Sequence, residues 1–177
     1  MAKRISLREF QQNLTAKLSS SREGAATHSL LGIQSGTGDD SLWLIDLADS
    51  GEVMPLETSL APVPLTRTWF AGLTNVRGVL YSVVDFAAFR GLEPTPRTND
   101  ALLLMIGARH GINSALLVHR ALGLRALDNL TELEHVADAP AWCRQRYRDA
   151  EGRQWTRLSV PELLAEPAFG NVAEIQD

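Results

Sequence analysis

The chain has 177 residues, 45% of them hydrophobic, with a formal net charge of −4 and one cysteine, Cys143. That length suits one domain or two small lobes, and the apolar content excludes a disordered chain. The negative balance argues against nucleic acid or an anionic membrane surface as partner, no apolar window is long enough for a membrane-spanning helix, and the lone thiol excludes intrachain disulfides and thiolate clusters, which fits a reducing cytoplasm.

In chain order, residues 6–18 predict a helix. Ser6 and Glu9 make a capping box, Ile5 and Phe10 a hydrophobic staple, and Leu7, Phe10, Leu14 and Leu18 one apolar face. A polar linker follows at 19–26. The apolar runs 29–34 and 42–47 flank a turn and predict a hairpin. Gly36 and Gly38 lie in that turn, where Asp39, Asp40 and the lack of a following helix argue against a phosphate cradle. Residues 52–57 read as extended, and Pro62 and Pro64 keep the next segment out of a central strand. A brief helical turn is expected at 66–71, ahead of Gly72. Then comes a β-rich run at 79–84, with Asp85 as N-cap of one helical turn, Phe86 and Phe89 facing inward and Gly91 as its C′ residue.

The proline-containing segment 93–98 reads as a connection between lobes. Runs 101–106 and 114–118 predict a second hairpin, 122–127 a short strand, and 142–147 with 154–158 a third hairpin. Ser159 and Glu162 form another capping box, opening a terminal helix that ends near Pro167. Short strands with frequent turns and only peripheral helices predict a mainly β architecture of two small barrels.

The residues offer no catalytic apparatus. His28, His110, His119 and His135 show no zinc-ligand spacing, and His110 reads as a solvated hairpin residue. Cys143 sits in a strand-like run and reads as a buried thiol. No nucleophile elbow, Walker A loop or dinucleotide fingerprint is present, and Asp46 and Asp85 have structural places. No metal or cofactor is expected.

The informative stretch is 72–91. Asn75, Val76, Arg77 and Gly78 form a turn ahead of a strand expected to be buried. Gly78 relieves the backbone and Asn75 can bond within its own loop. Arg77 thus sits on a stiff loop and offers a planar five-donor fork. Two readings stand: presentation to a partner, or an internal ion pair, for instance with Glu57.

Residues 52–57 (Glu-Val-Met-Pro-Leu-Glu), Pro62-Val63-Pro64, Trp69 to Gly72, Leu73-Thr-Asn-Val-Arg-Gly78 and Ser82-Val-Val-Asp85 resemble the CheW family of chemotaxis coupling proteins. Residues 63–69 and 80–85 are most similar to its PilI-like branch, that of the type IV pilus pathway. The resemblance spans roughly 28–166. It implies two SH3-like five-stranded β-barrels sharing an apolar seam, with peripheral N- and C-terminal helices. The division expected is an N-terminal helix and linker over 1–26 and one domain over 27–177, the first barrel at about 27–92 plus a C-terminal segment and the second at about 99–158. The implied work is non-catalytic: an adaptor in the cytoplasm, at receptor arrays, that bridges the cytoplasmic tip of a methyl-accepting chemoreceptor and the regulatory domain of a CheA-type histidine kinase. Arg77, with Asn75, Val76 and Gly78, matches the family's coupling loop, and Leu56 and Glu57 match the edge beside it. His119, where an acidic residue is expected, and the longer N-terminal helix depart from the pattern. The alternative is a β-barrel interaction module for another signalling partner.

Overall fold

The computed structural model describes residues 29–56 and 60–174. The helix expected over 6–18, the linker behind it and Glu57 lie outside these residues. The expected 29–34/42–47 hairpin is present as β1 (Ser29–Gln34) and β2 (Leu42–Asp46), antiparallel from Leu30↔Asp46 to Gln34↔Leu42. After a turn come β3 (Ser50–Pro55), β4 (Phe70–Val76), β5 (Val79–Asp85), the single helical turn α1 (Phe86–Phe89), β6 (Leu102–Ile106) and β7 (Ser114–Val118). Past His119 follow β8 (Arg120–Ala126), β9 (Thr131–Glu132), β10 (Arg146–Arg148), β11 (Gln154–Leu158), α2 (Val160–Ala165) and α3 (Pro167–Gly170).

The first sheet has the order β8-β1-β2-β11-β10-β9 and the second β3-β6-β7-β5-β4. Two pairings are parallel, β11 with β2 and β5 with β7. Each sheet brings its ends round toward one another. In the first, the end strands β8 and β9 are joined by a three-residue 3-10 turn, Leu127–Asn129. In the second, the chain leaving β3 bridges the far strand through Ala61 and Leu73. The result is the expected mainly β fold, with six strands in the first sheet because β9 adds a two-residue edge.

Core residues alternate between environments, as side chains on a strand must. Leu104 and Ile106 join a cluster shared by both sheets with Leu31, Trp43, Val84, Phe86, Trp142 and Leu158. Their neighbours Leu103 and Met105 point into the second barrel with Leu60, Val83 and Leu117. Leu30, Leu44, Tyr147 and Trp155 fill the first barrel. Strands buried on both faces read as unbroken apolar runs, which is why 101–106 and 114–118 stand out in the sequence.

Several expectations need correction. Residues 66–71 form no helix. A Phe70 N–H···O=C Arg67 turn leads into β4, and Gly72 lies inside that strand at a bulge. Its φ is +127°, and a Cβ there would collide with the Ala61 carbonyl, so the glycine serves close strand approach rather than a loop. Segment 93–98 does not divide the sheets, since it joins α1 to β6 and both ends pack with the second sheet. Sheet membership changes at residues 47–49 and at His119, because β5 and β7 pair across 28 intervening residues (86–113) and place β6 beyond them. Cys143 is buried in a 3-10 turn, Ala141–Cys143, not a strand. The Ser159 side chain makes no cap bond. Helix α2 starts there through Pro161 and a Leu163 N–H···O=C Ser159 bond. His110 is not solvated: its Nε2 lies 2.7 Å from Oδ1 of buried Asp49, which Arg109 also contacts.

Asp85 caps α1 as expected. Its Oδ1 accepts from the N–H groups of Ala87 (3.1 Å) and Ala88 (3.2 Å). Thr95 adds an N–H bond to Oδ2 at 2.7 Å and a hydroxyl bond to Oδ1 at 2.8 Å. The cap therefore also ties down the proline-containing segment.

Candidate interaction site

Strands β4 and β5 pair to their tips, Val76↔Val79, leaving Arg77 and Gly78 as a two-residue turn. Their φ angles are +53° and +87°, the positive–positive pattern of a type I′ turn, whose twist matches that of a hairpin. Asn75 Oδ1 accepts from the Gly78 N–H at 2.9 Å and closes the turn from within. Strand β5 meets β7 only from Ser82 onward, and β4 has its bridge to Ala61 no further along than Leu73. The segment 74–81 is thus an arm that reaches past the sheet.

At the arm's tip, the Arg77 side chain is 76% exposed and its Nη2 lies 2.9 Å from Oε1 of Glu52, itself 46% exposed. An exposed pair of this kind contributes about 0–1 kcal/mol, so a partner's acceptor can displace it. Among the described residues, Nε and Nη1 of Arg77 have no partner. Val79 and Leu80, expected in a buried strand, are exposed, Leu80 by 56%. Burying their exposed parts would contribute about 1 kcal/mol each. Between the arm, β3 and the β6–β7 connection lies a cavity of about 520 Å³, walled by Glu52, Arg77, Tyr81, Met105 and Ile112.

The structure brings together Asn75, Val76, Arg77 and Gly78, with Val76 turned toward the second barrel's interior. Leu56 is partly buried against the same interior cluster as Val76, its N–H bonded to the Ala101 carbonyl. Among the described residues the internal partner of Arg77 is Glu52, and Glu57 lies outside them. Val79 and Leu80 escaped the sequence reading because only the protrusion of the arm exposes them, and Glu52 because it meets Arg77 from a different strand, β3.

Among the described residues, Leu65 and Arg77 are the non-glycine residues with positive φ. Leu65 is 64% exposed and sits in a turn clamped by the C-terminal segment, whose Glu174 N–H donates to its carbonyl. Positive φ costs an ordinary side chain about 1 kcal/mol or more, and Asn or Gly would avoid it. No group of three His, Cys, Asp or Glu among the described residues is placed to hold a metal ion.

The family profile described as the CheW-like domain matches residues 37–168, about three quarters of the chain. The chain belongs to the CheW-like family. It is 24% identical over 119 residues to the chemotaxis protein CheW of Thermotoga maritima, covering 67% of this chain and 78% of that protein. It is 27% identical over 95 residues to the protein PilI of Pseudomonas aeruginosa, covering 54% of this chain and 51% of that one. The crystal structure of the scaffolding protein TtCheW from Thermoanaerobacter tengcongensis shares the fold, with a TM-score of 0.66 at 15% identity over 82% of this chain and 97% of that chain. In this CheW-like chain the arm tip carries Asn75, Val76, Arg77 and Gly78, the last two as a two-residue turn.

Proposed function

We propose that this chain is a non-enzymatic scaffold that couples a methyl-accepting chemoreceptor to a CheA-type histidine kinase. Its setting would be the cytoplasm, at receptor arrays that control type IV pilus twitching motility. The family and the names of its relatives, a chemotaxis protein, a scaffolding protein and PilI, support the general role. The similarity to PilI supports the pilus setting. Among the described residues, no helix is long and apolar enough to cross a membrane.

The observation that carries the site assignment is Arg77 itself. A type I′ turn favours Asn or Gly at this position, yet a long cationic side chain occupies it, exposed and held, among the described residues, by one weak ion pair. Local strain with no structural return points to work done on a partner. The arm is preorganised by its turn and by Asn75, so ordering it on binding costs little entropy. Its planar fork suits a carboxylate or paired carbonyl oxygens, with Val79 and Leu80 as the apolar flank.

The test is reconstitution of receptor, kinase and this protein, reading kinase autophosphorylation with and without attractant. Arg77→Asp is expected to abolish receptor control while the unfolding midpoint stays close to that of the parent. Normal control in that variant overturns the site assignment. Failure of the parent protein to bind the kinase overturns the scaffold reading.

A further inference from the structure

Away from the arm, the seam between the barrels opens into a cavity of about 580 Å³. Trp43, Trp69, Phe89 and Trp142 form its apolar walls, with Arg90 and Arg146 among them. The volume falls within the range of small-molecule sites, about 300–1,000 Å³. Three of the chain's four tryptophans line this space, and none of its lining residues belongs to the Arg77 cavity.

The aromatic walls are fixed by one another. Trp43 meets Phe86 edge-on at 4.9 Å, Trp69 meets Phe89 at 5.2 Å, and Trp43 stacks on Trp142 at 6.0 Å. Such a cluster keeps its shape without collapsing into the space it borders. Arg90 lies 4.6 Å over the Trp43 ring and donates to the Ser35 carbonyl at 2.7 Å and the Asp40 carbonyl at 3.0 Å. Arg146 spends Nη1 on Asp40 Oδ1 at 2.8 Å. The Nε–H groups of both arginines are buried and have no partner among the described residues. A buried donor of this kind costs about 1–3 kcal/mol when it finds no acceptor. Asp40 is already committed to Arg146, and Glu166 is the other acidic residue of the wall.

We propose that the seam cavity binds a planar aromatic carboxylate, its ring laid against the cavity-facing edges of the tryptophan cluster and its oxygens on the spare donors of Arg146. The ring would touch Trp43 and Trp142, beside the first sheet, together with Trp69 and Phe89, beside the second. Occupancy therefore braces the two barrels against each other and stabilises the folded chain by mass action.

The experiment is calorimetric titration of the full chain with 2-naphthoate, and with 2-naphthalenemethanol as the neutral comparator. Saturable binding of 2-naphthoate with a dissociation constant below about 1 mM is expected, and binding about tenfold weaker for the alcohol. Arg146→Gln should bring the acid down to the affinity of the alcohol. Ala168→Phe, at an exposed wall position, should weaken both about tenfold or more with an unchanged unfolding temperature. No saturable heat, or binding indifferent to Ala168→Phe, overturns the site. Equal affinity for acid and alcohol, unaltered by Arg146→Gln, overturns the carboxylate. Either failure leaves the coupling role of Arg77 untouched, since that is read by kinase control.

Discussion

Arg77 and Arg90 stand in the same short stretch of sequence and live under opposite physics. Arg90 is half-buried, spread over Trp43 and Phe86, and bonded to two backbone carbonyls from the β1–β2 turn. Burial lowers its pKa to about 10, with nearby Asp40 opposing the shift. Arg77 sits in water on a strained turn with one replaceable carboxylate. A structural arginine spends its guanidinium on the carbonyls and rings around it, whereas one kept for a partner stands exposed and accepts local strain. The test for either role is whether the fold or the binding suffers when the side chain goes.

The largest stability effect expected is at Arg90. Arg90→Ala removes the stack on two rings and leaves the Ser35 and Asp40 carbonyls short of donors, a loss of about 2–4 kcal/mol in chemical denaturation. Near-neutral behaviour there would break the comparison. Arg77→Asp should change stability by about 1 kcal/mol or less while costing tenfold or more in kinase binding, measured by calorimetry or pull-down titration.

The contrast extends to carboxylates, where Asp149 behaves like Arg90. Burial raises the pKa of Asp149, but bonds from Trp155 Nε1 and from the Arg153 backbone and side chain prevail and hold it below the usual carboxylate range. A depressed folded pKa means that this stabilisation is complete above the unfolded value of about 3.9 and is lost as pH falls through the folded value. Asp149→Asn should therefore flatten the acid limb of a stability–pH curve. Glu52→Gln is expected to cost about 0.5 kcal/mol or less and to leave kinase control intact, because Glu52 only parks the Arg77 fork. The smallest effect sharpens the comparison most: Arg77→Asn should raise stability by up to about 0.5 kcal/mol, since Asn-Gly suits a type I′ turn, and still lose coupling.

Much of this was legible before any coordinates. The first hairpin, the β6–β7 hairpin, the Asp85 cap and the mainly β class follow from apolar runs, turn residues and local side-chain chemistry, all of which act over a few residues. The turn at Arg77-Gly78 belongs with them, since Asn75 and Gly78 advertise it. The strand running through Gly72 did not show, because a glycine between two short runs reads as a break when its partner strand is unknown. The exposure of Val79 and Leu80 was equally hidden, since a β-rich apolar pair carries no sign of whether a neighbour covers it.

By itself, then, the sequence determined where the chain turns, which residues are apolar enough to be buried, and that one arginine is mounted on a tight hairpin. Only the tertiary structure decided that β5 lies parallel to β7, that the sheets exchange at residues 47–49 and His119, that Glu52 faces Arg77, and that three tryptophans line one cavity. The physical reason is range. Turns and caps are settled by bonds within a few residues, whereas strand partnership is settled by how two closed sheets share a seam, and no local pattern encodes which distant segment will lie alongside.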